Sequence, residues 1–97
     1  MSLAMNQPFR MTVRDLYTLS GLGVAVTGQV EAGSVKDGDE LDLVSDAVRT
    51  PVRVLQIETF ARRIPSASAG PEEVAVVLAG VTRADVRPGQ VLMRRQG

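Results

Sequence analysis

From Val24 to Glu31 the chain alternates apolar and polar residues. Val24, Val26, Gly28 and Val30 share one parity; Ala25, Thr27, Gln29 and Glu31 share the other. Successive strand side chains point to opposite faces, so this period predicts a half-buried β-strand. Valine and threonine suit the pleat and resist helix. Gly21 and Gly23 open the segment and Gly33 closes it, which brackets the strand with turns. Gly28, in mid-strand, predicts a bulge, a sharp bend or a close backbone approach. The same stretch holds a decoy. Gly23 and Gly28 have the GxxxxG spacing of a phosphate-binding loop, but Gln29 and Val30 follow where lysine and a hydroxyl residue are needed. Gly21-Leu22-Gly23 opens no helix, so it is no dinucleotide fingerprint either.

The rest of the chain repeats the pattern of short strands and turns. A first strand is predicted over Pro8–Leu16, with Phe9, Met11, Val13 and Asp15 on one parity. Lys36-Asp37-Gly38-Asp39 is a turn, Leu41–Val44 a short strand, and Asp46–Thr50 a polar connection. Pro51–Phe60 reads as a strand whose apolar parity crosses near Val54. That crossing implies a bulge or two covered faces. Pro65–Pro71 is a loop by composition. Val74–Ala79 is continuously apolar; its length, three valines and bracketing Pro71 and Gly80 favour a strand buried on both faces over a helix. Thr82–Val86 has room for one helical or 3₁₀ turn, Arg87-Pro88-Gly89 is a turn, and Gln90–Arg94 is a last strand.

Six or so short strands imply an all-β sandwich or barrel. One-sided apolar patterns suit a sheet wrapped around one core, and closure removes exposed edges. The expected fold is therefore a closed antiparallel β-barrel of six to seven strands. Residues 1–7 are expected to be a disordered segment or a cloning remnant, and 8–97 a single barrel domain.

Composition narrows the chemistry. The chain has no cysteine, so no disulfide scaffold or thiolate metal site, and no histidine, the commonest general base and metal ligand. No metal or cofactor is expected. The aromatics are Phe9, Tyr17 and Phe60, which leaves few base-stacking platforms. Net charge is zero, yet residues 1–50 carry 4 basic and 7 acidic groups and residues 51–97 carry 7 and 4. The basic excess of the second half is all arginine, suited to phosphate or carboxylate contacts. No apolar run reaches the roughly 18–20 residues of a membrane span, and the opening MSLAMNQ, without a charged and an apolar region, is not expected to be a signal peptide. A cytoplasmic protein is expected.

A longer pattern now emerges. Pro8-Phe9 through Asp15-Leu16-Tyr17, Ser20-Gly21-Leu22-Gly23, Val26-Thr27-Gly28-Gln29-Val30-Glu31-Ala32-Gly33 and Val35–Leu41 follow in unbroken order. Ala69-Gly70, Val76–Val81 and Arg87-Pro88-Gly89-Gln90-Val91-Leu92 complete it. This order closely resembles the second domain of elongation factor Tu and related translational GTPases, over about residues 8–93. The resemblance implies the translation-protein barrel, a non-catalytic domain that packs against a GTPase domain. In elongation factor Tu it also helps hold the aminoacylated end of tRNA and contacts ribosomal RNA. The chain carries no GTPase motif of its own.

The resemblance also implies site residues. The acidic pair and aromatic that line the family's adenosine pocket fall at Arg14, Asp15 and Tyr17, so an arginine replaces one carboxylate. Leu19 would supply an apolar wall, and Glu58 the glutamate that reads the adenine. Phe60 stands where elongation factor Tu has a histidine, and Glu73 where it has an asparagine. The Phe60 change loses a hydrogen-bonding group, and the Glu73 change trades an amide donor for negative charge. Arg62, with Arg63, is a candidate for phosphate contacts.

Three functions follow as expectations. The first is a translation-factor barrel that binds the acceptor end of aminoacyl-tRNA, or ribosomal RNA. The second is an interaction module of the same fold that docks on a GTPase domain, in cis or in trans, or on another protein, without touching RNA. The third, a small flavin-using barrel enzyme, has least support without histidine, cysteine or a cofactor motif. RNA binding weakens steeply with salt through counterion release, and apolar docking does not.

Overall fold

The computed structural model describes residues 7–95. The strands are β1 (Arg10–Thr12), β2 (Asp15–Leu19), β3 (Gly23–Ala32), β4 (Ser34–Lys36), β5 (Glu40–Ser45), β6 (Val48–Thr59), β7 (Arg62–Ile64), β8 (Ser66–Ser68), β9 (Glu73–Ala79) and β10 (Val91–Arg94). One 3₁₀ turn, Arg83–Asp85, lies within the expected Thr82–Val86 segment. The expected disorder over 1–7 falls outside the described residues except at Gln7, which is exposed.

Every strand pairing is antiparallel, and the ring runs β1-β10-β5-β6-β9-β3 and back to β1. This is the closed barrel expected, with six strands in the ring. β2 extends the sheet beside β3, β7 pairs with β6, and β4 and β8 form a separate ribbon.

β3 realises the alternation of the sequence. Val24, Val26 and Val30 point into the core, with Gly28 between them. A Cβ on Gly28 would collide with the Thr12 carbonyl oxygen, so the mid-strand glycine marks a close backbone approach between β1 and β3. β9 is buried from Val74 to Leu78 on both faces, as its continuous apolar run requires. The parity crossing in β6 is a register shift between Val54 and Gln56 that makes Leu55 the extra residue.

The predicted strand Pro8–Leu16 is in fact two strands. At Val13 the backbone bonds to Gln90 (N–H to O 2.8 Å), and at Arg14 it turns to Thr27 (2.7 Å). The break flips the parity. Phe9, Met11 and Val13 are buried, then Leu16 packs inward while Asp15 and Tyr17 turn out. The predicted connection Asp46–Thr50 shortens to a turn at Asp46-Ala47, and β6 begins at Val48. Pro51 is tolerated because β6 pairs there with β5 alone; pairing to β9 starts at Arg53.

Short segments outside the ring add to the core. Val35 of β4 and Ala67 of β8 join the core, and Ala69 and Gly70 donate to the carbonyls of Gly33 and Val30 (3.0 and 3.1 Å). The connection from Gly80 to Gln90 contributes Val86, also buried. Gln90, 7% exposed, is satisfied by the Arg87 N–H (2.8 Å) and the Asp85 carbonyl (3.1 Å).

Part of the charge asymmetry along the chain is consumed within the fold: three of the seven arginines of residues 51–97 are ion-paired among the described residues. Arg63 pairs with Asp37 (2.9 Å), Arg94 with Asp39 (3.2 Å) and Arg95 with Glu40 (3.3 Å), while Arg14 meets Glu73 (3.2 Å). Asp42 is buried beside Arg49 (3.1 Å). No helix of the described residues is long and apolar enough to cross a membrane.

Candidate functional site

The outer face of β2, β3, β9 and β6 carries two transverse rows set by register. Tyr17 faces Ala25, Ala25 faces Val77, and Val77 faces Gln56. Next to it, Asp15 faces Thr27, Thr27 faces Ala75, and Ala75 faces Glu58. Ala25 and Val77 are fully buried although they lie outside the barrel. Small apolar side chains thus make a floor, with Tyr17, Gln56 and Glu58 rising around it.

Along the second row, over Thr27, Val74 and Ala75, lies an open groove of about 350 Å³. Tyr17, Glu58, Phe60 and Glu73, four of the residues singled out from sequence, line it together. Thr27, Thr59, Ala61 and Ala75 also line it and were missed, because their place depends on four strands coming together. The other expected residues stand elsewhere. Asp15 folds its carboxylate back to accept the Leu16 N–H (2.8 Å). Leu19 is half-buried opposite Gly23 at the end of β2. Arg62 is exposed opposite Thr59, outside the groove lining.

Glu58 accepts from Gln56 Nε2 (2.7 Å), which leaves its other carboxylate oxygen free for a ligand. Glu73 is held by Arg14, and its backbone carbonyl accepts from Thr59 Oγ1 (3.1 Å). Arg14 therefore neutralises part of the groove's negative charge. The two carboxylates favour hydrogen-bond donors and repel phosphate.

Burial, and secondly the Glu58 charge, raise the Tyr17 phenol above its ordinary 10.0. The raised value favours the folded state below pH 10.0, and that contribution is lost as pH rises through the folded value. Glu58→Gln should lower the phenol's titration midpoint without returning it fully, since burial is the larger cause. Absorbance of the phenolate during alkaline titration of both proteins measures this. An unchanged midpoint in the variant would separate Glu58 from the phenol.

Phe60 and Ala61 form the two-residue turn between Thr59 and Arg62, and both have positive φ (51° and 60°). A tight hairpin with two left-handed residues prefers Asn-Gly. Here the turn instead holds an aromatic ring 79% exposed at the groove's edge. Ala61→Gly relieves one left-handed residue and should stabilise the fold by about 1 kcal/mol. Urea unfolding checks it, and a destabilised variant would show that the turn is not strained at Ala61.

Together these features define a fold class, the translation-factor β-barrel. The chain superposes on translation elongation factor SelB from Methanococcus maripaludis, solved in its apo form. The TM-score is 0.85 at 26% sequence identity, and the match covers 97% of this chain and 20% of that chain. The chain thus spans about a fifth of that factor's length. No family model matches the sequence. That structure is one of 211 solved chains that match, and a shared fold does not by itself fix the ligand.

Proposed function

We propose that this barrel, over residues 8–97, is a non-catalytic domain of the elongation factor Tu second-domain type, acting in or derived from a translational GTPase, and that its groove receives the acceptor end of aminoacyl-tRNA. The observation that carries the reading is the meeting of Tyr17, Glu58, Phe60 and Glu73 at one groove. Tyr17 offers a face for a base, and the free oxygen of Glu58 accepts from an exocyclic amino group. Glu73 lies where a ligand's hydroxyl or ammonium donors find an acceptor. The phosphates of the strand lie outside this acidic groove. Asp15, Leu19 and Arg62 take no direct part in the groove contact.

An NMR titration of the isotope-labelled chain with aminoacyl-tRNA tests it, at low and at physiological salt. Shifts clustered at Tyr17, Glu58 and Phe60 that persist at physiological salt support the reading. No shifts, or diffuse shifts at low salt only, overturn it.

A second reading is favoured by Phe60. A large apolar ring held on a strained turn is a natural anchor for protein docking, and Arg63, Arg94 and Arg95 are already engaged by carboxylates of the fold. Under this reading a GTPase domain, in cis or in trans, covers the Phe60 turn. Phe60→Ala would then abolish complex formation with that domain while leaving RNA shifts absent in both proteins.

A further inference from the structure

The β4–β8 ribbon presents a polar outer face. Its register sets Ser34 opposite Ser68 and Lys36 opposite Ser66, while Val35 and Ala67 turn inward and are buried. The outward set is therefore three hydroxyls and one ammonium, with no carboxylate among them. Lys36 is exposed, and no carboxylate of the described residues pairs with it.

An open groove of about 550 Å³ runs between this face and β10, lined by Ser34, Lys36, Ser66, Asp39 and Arg94. Arg94 donates to the Ser34 carbonyl (2.8 Å) and pairs with Asp39 (3.2 Å), so it is held in place over the groove with donors to spare. Asp39 is the one negative group in the lining. It is 12% exposed, and one of its oxygens accepts both from Arg94 and from the Lys36 backbone N–H (2.9 Å). Asp39 therefore cancels Arg94 and leaves the Lys36 charge uncompensated.

We propose that this groove binds a phosphate group. A phosphate asks for several donors around a net positive charge. The ammonium of Lys36, the hydroxyls of Ser34 and Ser66 and the remaining donors of Arg94 supply them from two strands of the ribbon and from β10. The site is separate in its residues from the acidic groove of Tyr17 and Glu58, which repels the same group, and it does not depend on what that groove binds.

The test uses the labelled chain with two probes, inorganic phosphate and a hexauridylate RNA, at low ionic strength. Amide shifts at Ser34, Lys36, Ser66 and Ser68 with inorganic phosphate are the expected result and mark a site for a free phosphate. The same shifts with the RNA alone assign the site to a phosphodiester backbone. Lys36→Glu should weaken either probe at least tenfold, and Lys36→Arg should restore it. For the RNA, Lys36→Ala should also flatten the slope of log affinity against log salt by about 0.7, the value for one phosphate contact on a single strand. The Lys36 side chain is exposed and only its backbone bonds to Asp39, so these variants keep the fold. The proposal is overturned if neither probe moves the ribbon amides, if Lys36→Glu leaves the shifts intact, or if all shifts fall at Tyr17 and Glu58.

Discussion

Gly33→Ala should cost about 4 kcal/mol of stability, a large share of the 5–15 kcal/mol that holds a domain of this size together. Two independent terms add at this position. Gly33 has φ +67°, a left-handed conformation that costs a residue with a Cβ about 1–3 kcal/mol. A Cβ there would also lie 2.6 Å from the Phe9 backbone nitrogen and 2.8 Å from its Cα. Phe9 is 1% exposed and its carbonyl accepts the Arg94 N–H (3.1 Å), so the chain it must push is fixed on both sides. Gly38 provides the control. Its φ is +86°, but nothing lies within 4 Å of a Cβ built on it. Gly38→Ala should therefore show the conformational cost alone, about 1 kcal/mol. Urea unfolding of the three proteins separates the terms. If Gly33→Ala falls within about 1 kcal/mol of Gly38→Ala, the close packing of the β3–β4 turn on Phe9 is wrong.

What was legible in the sequence is what local period encodes. The alternation of β3, the two-sided burial of β9 and the parity crossing at Leu55 each show in consecutive residues. β4, β7 and β8 have three residues each, too few for any period to show. The break at Val13–Arg14 was hidden because alternation on each side cannot report that the partner strand changes. The same limit governs the site. Tyr17, Glu58, Phe60 and Glu73 stood out through the resemblance of the whole chain to a known barrel. Thr27 and Ala75 are ordinary strand residues until register places them between Asp15 and Glu58. The arginines of the second half looked available for phosphate. Arg63, Arg94 and Arg95 find acidic partners in the first half, a long-range fact no local pattern contains.

Glu58→Ala should weaken aminoacyl-tRNA binding by about 10- to 150-fold, the value of a hydrogen bond to a charged acceptor of about 1.5–3 kcal/mol. The carboxylate is half-buried, and Gln56 already fixes one of its oxygens, so little ordering remains when a donor binds the other. Tyr17→Ala removes a stacking face and should cost a comparable amount. The salt dependence distinguishes this groove from a phosphate contact. Neither side chain touches a phosphate in the proposed pose, so both variants should lower affinity by the same factor at low and at physiological salt, with the slope unchanged. A lost phosphate contact flattens the slope instead. Glu58 is not part of the core and makes no ion pair among the described residues, so its removal leaves stability nearly unchanged. Fluorescence titration of labelled aminoacyl-tRNA against the three proteins at two salt concentrations reads both quantities. Wild-type affinity in Glu58→Ala would remove the groove from RNA recognition and leave the Phe60 turn, as a docking anchor, to explain why this face keeps a strained and exposed aromatic.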